Sequence, residues 1–306
     1  MRILVTGISG QVGGALLPLL RAHDVIAADR ATLDLGKPER IGDVLDRLAP
    51  EFIINPAAYT AVDKAEDERD VAMRVNAEAP GAIARWVQAR GVPFIHFSTD
   101  YVFDGSGAAP WCETDAARPL SVYGSSKLAG ENAIRAAGGN SLIIRASWVY
   151  AARGVNFLRT ILRLAQERKE LRIVDDQIGA PTSASAVAEA VATLISGGQQ
   201  RFAMSVAKTN GILHLAASGE TSWYGFANAI IEGLKARGVP LAVERVVAIP
   251  SEAYPTRAMR PRNSRLDLMR MRGLFGGSLP GWRDMLDLEL DKLAAELSAT
   301  RSLPPG

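Results

Sequence analysis

A short apolar strand that leads into a glycine-rich turn constrains the fold of this chain more than any other feature of its sequence. Residues 3–5 are branched and apolar, and after them come Gly7, Gly10 and Gly13 at three-residue intervals and then helical apolar spacing. This order is typical of a buried parallel strand whose following helix directs backbone N–H groups at a pyrophosphate. Because the spacing is G-x-x-G-x-x-G instead of G-x-G-x-x-G, a plain strand-to-helix turn stays an alternative.

A second predicted strand, at 24–28, ends at Asp29 and Arg30, roughly 20 residues after the glycines. An acidic side chain at this place commonly accepts hydrogen bonds from the adenosine ribose hydroxyls, whereas a guanidinium suits a 2′-phosphate. Asp34 and Leu35 are further candidates beside the adenine. The predicted cofactor is therefore NADPH or NADH, and these residues leave the choice between them open.

Strands and helices alternate through the first half of the chain, and small or polar residues follow each strand. The predicted helices lie at 38–48 and 70–90, and the next predicted strands lie at 52–55 and 93–98. This alternation predicts an α/β fold, a Rossmann-type doubly wound parallel sheet that binds its ligands at the carboxyl ends of the strands. Ala57, after the third strand, is small enough for a flat cofactor to lie close to the backbone.

Tyr123 and Lys127 form the pattern Tyr-x-x-x-Lys, which a helix would place on one face, one turn apart. A phenol with an ordinary pKa of about 10 exchanges protons poorly at neutral pH, but a neighbouring ammonium lowers that pKa. We therefore predict that Tyr123 exchanges a proton with a carbonyl or alcohol oxygen, which a hydroxyl of Thr99 or Ser98 would hold. His96 lies within an apolar run and is interpreted as a packed core residue.

After Tyr150 the alternation weakens, which indicates a second and smaller domain. We predict a dinucleotide-binding domain at 1–149 that includes a returning segment at about 178–217, and a C-terminal substrate domain at 150–177 and 218–300. The tail at 301–306 contains two prolines and little to bury, so we predict that it is disordered.

The composition narrows the classes of function. The 306 residues are 48% hydrophobic and 22% charged, and the net charge of +2 includes no basic run, which argues against nucleic acid as a partner. The single Cys112 cannot form an internal disulfide, and the three histidines lie far apart in sequence. No apolar run reaches the roughly 18 residues of a membrane helix, and the chain begins with a strand instead of a leader. We therefore expect a cytoplasmic protein that has no membrane segment and no structural metal.

Several longer motifs carry a resemblance to a known family. The most specific are Asn-Pro-Ala-Ala-Tyr-Thr-Ala-Val-Asp-Lys-Ala-Glu at 55–66, Ser-Thr-Asp-Tyr-Val-Phe-Asp-Gly at 98–105 and Pro-Leu-Ser-Val-Tyr-Gly-Ser-Ser-Lys-Leu-Ala-Gly-Glu at 119–131. Others lie at 7–13, 145–150, 176–182 and 260–266. On these motifs the chain resembles, from residue 1 to about residue 290, the extended branch of the short-chain dehydrogenase/reductase superfamily. Within that branch it resembles the dTDP-4-dehydrorhamnose reductase family.

The resemblance implies that Thr99, Tyr123 and Lys127 are the catalytic residues. It also implies that NADPH, with NADH tolerated, reduces the 4-keto group of dTDP-4-dehydro-L-rhamnose to give dTDP-L-rhamnose. The implied cofactor-binding residues are Gly7, Gly10, Gln11, Val12, Asp29, Arg30, Asp34, Leu35, Ala57, Ala58, Tyr59, Tyr123 and Lys127. The implied substrate-binding residues are Thr60, Val62, Thr99, Asp100, Tyr101, Tyr123 and Trp148.

A nucleotide sugar brings two negative charges and a flat base, which arginines and aromatic faces recognise. Trp148, directly after a predicted sheet strand, and Trp223 are candidates for the aromatic faces. Arg257, Arg260 and Arg262 are candidates for the charges. The alternatives are that Trp223 only packs in the core and that the arginines are solvated.

Two residues depart from the family pattern. Ala15 stands where some relatives carry an acidic residue implicated in a metal-linked dimer, which leaves both a Mg²⁺ requirement and a homodimer open. Pro56 stands where a small residue is more usual and is expected to stiffen its loop.

Two other functions fit the same scaffold. One is an epimerase or dehydratase with tightly held NAD, although Asp100 is followed by Tyr101 and the usual Asp-Glu pair of dehydratases is absent. The other is a non-catalytic, NADP-binding regulatory subunit. The complete set of Thr99, Tyr123 and Lys127 argues against it, because a pure binding protein needs none of them.

Overall fold

A computed structural model of the chain describes the backbone of residues 1–301 and the side chains of residues 1–299. The last helix continues to Arg301, the first residue of the tail for which disorder was predicted. The prediction of disorder for the remainder of the tail, 302–306, lies outside the described residues.

The N-terminal half alternates strands with helices. In chain order its elements are β1 (Arg2–Val5), α1 (Gln11–Leu16), β2 (Asp24–Ala27), α2 (Ile41–Leu48), β3 (Phe52–Asn55), α3 (Val62–Ala65), α4 (Arg69–Met73), α5 (Ala79–Arg90), β4 (Phe94–Thr99), α6 (Val122–Ala137) and β5 (Ser141–Ala146). A π-turn at Arg74–Glu78 joins α4 to α5. The helix predicted at 70–90 is therefore confirmed as one continuous helical segment, in which a wider π-helical turn separates two α-helical parts.

The C-terminal half contains shorter strands. Its elements are β6 (Val149–Tyr150), α7 (Phe157–Glu167), β7 (Glu170–Val174), β8 (Ile178–Gly179), β9 (Thr182–Ser183), α8 (Ala184–Ser196), α9 (Gly198–Thr209), β10 (Ile212–Leu215), β11 (Thr221–Ser222), α10 (Trp223–Ala236), β12 (Arg245–Ile249), α11 (Met269–Phe275) and α12 (Trp282–Arg301). The strand β10 joins the main sheet beside β5, whereas β7 and β12 form a separate parallel pair. The division into two domains stays a prediction.

The main sheet has six parallel strands in the order β10-β5-β4-β3-β1-β2, which confirms the predicted doubly wound α/β fold. The chain moves from β1 to β2 on one side and then to β3 on the other, so the strand order reverses next to β1. Val5 lies opposite Ala27 of β2 and Ile54 of β3, which brings the carboxyl ends of these three strands to one edge. Ligands of such sheets bind in the crevice at this reversal.

Both faces of the sheet are covered. Ile3 and Val5 of β1 belong to one core cluster and Leu4 belongs to the other, as the twofold alternation of a strand requires. All three are fully buried, and burial of each such side chain contributes about 1.5–3 kcal/mol. The strands read as continuous apolar runs because neither face meets water.

The π-turn between α4 and α5 places Asn76 in the interior. Its Oδ1 accepts a hydrogen bond from Tyr59 N at 2.8 Å, and its Nδ2 donates to Tyr59 O and to Ser126 Oγ, each at 3.0 Å. One buried amide therefore joins the loop after β3 to the helix α6. Single π-helical turns inside α-helices are frequent at functional sites.

Close packing against this turn predicts the effect of a substitution at Gly130 of α6. A Cβ at Gly130 would lie 2.1 Å from Asn76 O, whereas a Cβ at Gly42 of α2 would meet no atom within 4 Å. We expect Gly130→Ala to lower the free energy of unfolding by roughly 1–3 kcal/mol, because the turn and the helix must separate. Gly42→Ala, the control, should raise it by roughly 0.5–1 kcal/mol. Urea unfolding of both variants checks this, and equal midpoints would contradict it.

Candidate active site

A cleft of about 1840 Å³ lies along the carboxyl edge of the main sheet. All the cofactor-binding and substrate-binding residues predicted from the sequence line it. They are Gly7, Gly10, Gln11, Val12, Asp29, Arg30, Asp34, Leu35, Ala57, Ala58, Tyr59, Thr60, Val62, Thr99, Asp100, Tyr101, Tyr123, Lys127 and Trp148. Segments separated by more than a hundred residues thus meet in one site.

The glycine turn forms one wall at the point where the strand order reverses. Gly7 has a φ of +59°, and a Cβ there would lie 2.9 Å from the backbone of Ala57. A Cβ at Gly13 would lie 2.2 Å from the carbonyl oxygen of Gly7. Only glycine fits at these two positions without a clash. The backbone of the turn therefore faces the cleft without side chains over it. Gln11 donates from Nε2 to Val149 O at 3.4 Å, whereas its buried Oε1 has no protein partner among the described residues.

The end of the cleft after β2 carries Asp29 and Arg30. Asp29 Oδ1 accepts hydrogen bonds from the backbone N and the hydroxyl of Thr32, both at 2.8 Å, and these bonds hold its pKa below the usual value. Asp34 Oδ1 accepts from Gly36 N at 2.9 Å and from Arg30 Nε at 3.4 Å. The Arg30 side chain is 83% exposed. A largely solvated guanidinium therefore lies at the end of the cleft after β2.

The other end of the cleft is built on the first turn of α6. Ser121 Oγ accepts from Gly124 N at 3.1 Å, and Glu66 Oε1 accepts from Val122 N at 2.9 Å, so two otherwise free N–H groups are capped. A Cβ at Gly124 would lie 2.2 Å from the carbonyl oxygen of Tyr101. This close approach places the ring of Tyr123 edge-on to Tyr101, with 5.7 Å between the ring centroids.

The predicted direction of the Tyr123 pKa is wrong for this arrangement. Burial raises the pKa of the phenol to about 12, and the charge of Asp100 adds to the rise, whereas a hydrogen bond with Thr99 opposes it. The Lys127 ammonium is not among the causes of the shift. The prediction assumed that the Lys127 ammonium would lower the pKa of Tyr123. In the folded chain, desolvation of the phenolate raises that pKa instead.

Lys127 lies one turn further along α6 and is 2% exposed. Its Nζ donates to Phe97 O at 2.6 Å and lies 3.2 Å from His96 Nε2. Burial lowers the pKa of the ammonium to about 8, although the charge of Glu131 opposes this. Lys127 is thus anchored to β4, the strand that ends at Thr99.

Thr99 and Asp100 complete this end of the cleft. Thr99 Oγ1 accepts from Tyr101 N at 3.2 Å and donates to Asp100 Oδ1 at 3.1 Å. Asp100 is 3% exposed, and burial raises the pKa of its carboxyl group to about 6. Its Oδ2 and the Ser98 hydroxyl are buried without a protein partner among the described residues. Both residues line the cleft together with Thr99 and Tyr123.

A pair of stacked indoles borders the cleft. The rings of Trp148 and Trp223 lie 3.6 Å apart between centroids and are inclined by 9°. Trp148 has a φ of +49°, an uncommon backbone conformation for a side chain of this size. Trp223 Nε1 donates to Gln177 Oε1 at 3.2 Å. The structure therefore places both predicted tryptophans at the site.

The three predicted arginines lie outside the residues that line the cleft. Arg257 pairs with Asp67 at 2.6 Å, and Arg260 pairs with Asp63 at 2.7 Å. Arg262 pairs with Glu252. Each of these guanidinium groups is thus paired with a carboxylate, and the side chains of Arg257 and Arg262 are also largely exposed to solvent.

Sequence reasoning missed the supporting roles of Glu66 and Asn76. Both act on backbone or side chains more than ten residues away. The sequence signal for Asn76 was an asparagine inside a predicted helix.

The described residues were also searched for metal-binding groups of side chains and for membrane-spanning helices. Within residues 1–301 no group of three or more His, Cys, Asp or Glu side chains is arranged to hold a metal ion. In the same part of the chain no helix is both long and apolar enough to span a bilayer.

A parallel sheet with a glycine turn at its switch point, and Thr, Tyr and Lys side chains at the same edge, defines a Rossmann-type short-chain dehydrogenase/reductase. Within this class the chain belongs to the family described as the RmlD substrate binding domain, whose model matches residues 1–295.

Individual relatives agree with this assignment. The chain is 46% identical over 286 residues to a dTDP-4-dehydrorhamnose reductase from Burkholderia thailandensis, and the alignment covers 92% of this chain and 96% of the relative. It is 45% identical over 289 residues to the enzyme of that name from Escherichia coli K12, with 92% and 95% covered. The solved structure of a dTDP-4-dehydrorhamnose reductase from Bacillus anthracis in complex with NADP is 32% identical, with a TM-score of 0.85 and coverage of 95% of this chain and 99% of that one. The resemblance inferred from the motifs is confirmed.

Proposed function

We propose that this chain reduces the 4-keto group of dTDP-4-dehydro-L-rhamnose to give dTDP-L-rhamnose, with NADPH as the source of hydride. The observation that carries the proposal is one cleft with the glycine turn at one end and Thr99, Tyr123 and Lys127 at the other. Relatives at 46% and 45% identity carry the name of this reductase. The cytoplasmic location expected from the sequence is part of the proposal.

Unpartnered polar atoms support the fit of a dinucleotide and a sugar to the cleft. Gln11 Oε1, Ser98 Oγ and Asp100 Oδ2 are buried without a protein partner among the described residues, and all three residues line the cleft. Each such atom costs about 1–3 kcal/mol until a ligand group pairs with it. The glycine turn and Gln11 would hold the pyrophosphate, and Arg30 would hold a 2′-phosphate.

The protein supplies the proton and the alignment. NADPH, when bound, contributes the hydride that no side chain can provide. Tyr123 remains protonated at neutral pH, because burial raises its pKa to about 12, and it donates its proton to the sugar carbonyl oxygen. The Thr99 hydroxyl, whose one hydrogen is donated to Asp100 Oδ1, would turn to donate it to the same carbonyl oxygen. The carbonyl thus becomes a secondary alcohol, with the hydride on carbon and the proton on oxygen.

Lys127 stabilises the phenolate that Tyr123 leaves behind. An ammonium has three N–H donors; one is bonded to Phe97 O. Lys127 lines the cleft, so a further N–H can face the ligand. A positive charge near the phenolate favours proton donation by Tyr123.

A direct assay tests the proposal. NADPH and dTDP-4-dehydro-L-rhamnose are added to the purified chain, nicotinamide absorbance is followed, and the product is identified by chromatography against dTDP-L-rhamnose. We expect stoichiometric cofactor oxidation and that product. No oxidation with this sugar or with related 4-keto sugars would remove the proposal. Tightly bound NAD with no net consumption would favour an epimerase instead.

Arg30 supports a preference for NADPH over NADH. We expect Arg30→Ala to raise the KM for NADPH by roughly 10- to 100-fold, since a hydrogen bond to a charged group contributes about 1.5–3 kcal/mol. The KM for NADH should barely change. Initial rates with both cofactors check this. Arg40→Ala is the matched control, because Arg40 is exposed and lies outside the cleft. Equal losses with the two cofactors would contradict a phosphate contact.

A further inference from the structure

A buried chain of hydrogen-bonding side chains runs under the floor of the cleft to Lys127. It consists of Thr6 at the end of β1, Asn55 of β3, His96 of β4 and Lys127 of α6. None of the four is more than 2% exposed. Asn55 Nδ2 lies 3.1 Å from His96 Nδ1, and His96 Nε2 lies 3.2 Å from Lys127 Nζ. The imidazole therefore bridges an amide and the amine of the proposed catalytic lysine.

The direction of the hydrogen bonds is set at Thr6. Thr6 Oγ1 accepts from Ala57 N at 3.3 Å and donates to Asn55 Oδ1 at 2.5 Å. The amide nitrogen of Asn55 is thereby turned toward His96. An amide nitrogen only donates, so His96 Nδ1 must accept and carries no hydrogen.

His96 is neutral in this environment. Burial, together with the charge of Lys127, holds the pKa of the imidazole well below its usual value. A neutral ring has one hydrogen, which must be on Nε2 because Nδ1 accepts. This N–H points at Lys127 Nζ. An ammonium has no lone pair to receive it, whereas a neutral amine has one.

We propose that His96 is a positioning residue for Lys127: it fixes Nζ at the inner end of the cleft and, through the tautomer set by Thr6 and Asn55, favours the amine over the ammonium. The inference rests on the role given to Lys127 in the proposed function. His96 does not touch the reacting atoms and acts only through the lysine.

The other charged groups around Nζ are few among the described residues. On its own helix, Glu131 favours the ammonium, and Tyr123 lies one turn earlier. On β5, Arg145 pairs with Glu131 at 2.6 Å and neutralises part of its charge. Burial outweighs the charge of Glu131 and lowers the pKa of Lys127 to about 8, and the proposed N–H of His96 acts in the same direction as burial.

Two substitutions at His96 distinguish its contact with Lys127 from its contact with Asn55. The amide of His96→Gln reaches the place of Nε2 and offers an oxygen to the ammonium, while the amide of His96→Asn reaches the place of Nδ1 and serves only Asn55. We expect His96→Gln to move the basic limb of kcat/KM for the sugar to higher pH by about one unit. The sign follows because activity is lost when Lys127 deprotonates, and a stabilised ammonium deprotonates at higher pH. His96→Asn should lower kcat by roughly 10- to 100-fold, because Nζ is no longer held.

Ile143→Ala is the matched structural control. Ile143 of β5 lies directly beside His96 in the sheet and is 1% exposed. Its truncation should lower the Tm and leave the basic limb where it is in the original chain. If His96→Gln lowers the Tm in the same way and its basic limb also stays in place, His96 is only a core residue and the inference is overturned.

A measurement independent of activity separates this inference from the proposed function. In the ¹⁵N spectrum of histidine-labelled protein at high pH, we expect the His96 Nδ1 resonance to be that of an unprotonated nitrogen and the Nε2 resonance that of an N–H. Both should move with pH as Lys127 titrates, and Lys127→Met should abolish that movement. A protonated Nδ1 at high pH overturns the inference even in a fully active enzyme. The expected spectrum in a chain that reduces no 4-keto sugar would instead remove the proposed function alone.

Discussion

Tyr123→Phe is expected to lower kcat by roughly 10²- to 10⁴-fold, the range that general acid catalysis contributes. The phenol of Tyr123 carries its proton at neutral pH, since burial raises its pKa to about 12. Phenylalanine keeps the edge-on ring contact with Tyr101 and removes only the hydroxyl. Cofactor binding should therefore be nearly unchanged. Nicotinamide absorbance gives the rate, and fluorescence titration gives the affinity for NADPH.

Tyr150→Phe is the control for this experiment. Tyr150 is also a buried tyrosine, at 1% exposure, but it does not line the cleft, and its hydroxyl has no partner among the described residues. Its substitution should leave the rate intact. A Tyr123→Phe enzyme that keeps most of its turnover would show that another group donates the proton.

Glu131→Ala should have the largest effect on stability, a loss of about 3–5 kcal/mol in the free energy of unfolding. Glu131 and Arg145 form a two-pronged ion pair at 2.9 and 2.6 Å, and their side chains are 1% and 4% exposed. Removing the carboxylate leaves the guanidinium charged inside the sheet, where water cannot reach it. Urea unfolding monitored by circular dichroism measures the loss.

Glu167→Ala provides the exposed counterpart. Arg163 and Glu167 of α7 pair at 2.9 Å, with 60% and 52% of their side chains exposed. Solvent screens this pair, so the loss should be at most about 0.5 kcal/mol. A double variant, Glu131→Leu with Arg145→Met, should recover much of the lost stability, because it leaves no unpaired charge. Similar losses for Glu131→Ala and Glu167→Ala would show that the interior is far more hydrated than the burial indicates.

The sequence predicted the frame of the site well because the signals are local. The glycines at 7, 10 and 13, the acidic residue after the second strand and the Tyr-x-x-x-Lys spacing each depend on a few consecutive residues. The parallel topology then brings the ends of β1, β3 and β4 to one edge, so local patterns were enough to predict a shared cleft.

Other features of the site escaped sequence reasoning. The pKa direction of Tyr123 was predicted from one neighbour on its helix, but burial by the whole cleft decided it. Asn76 was read as part of one regular helix, but it lies in a π-turn that contacts Ser126, fifty residues away. Arg257 and Arg260 were candidates for ligand charges, yet they pair with Asp67 and Asp63.

The sequence by itself determined the class of fold and the position of the glycine turn, because strand, turn and helix periodicities are properties of short segments. Most of the side chains at the cleft were named through the family resemblance. Only the tertiary structure decided which of those side chains touch. It anchored Lys127 to His96 and Phe97 and stacked Trp148 on Trp223. The physical reason is that desolvation and hydrogen-bond partners come from residues far apart in the chain, and their combined effect exists only after folding has excluded water.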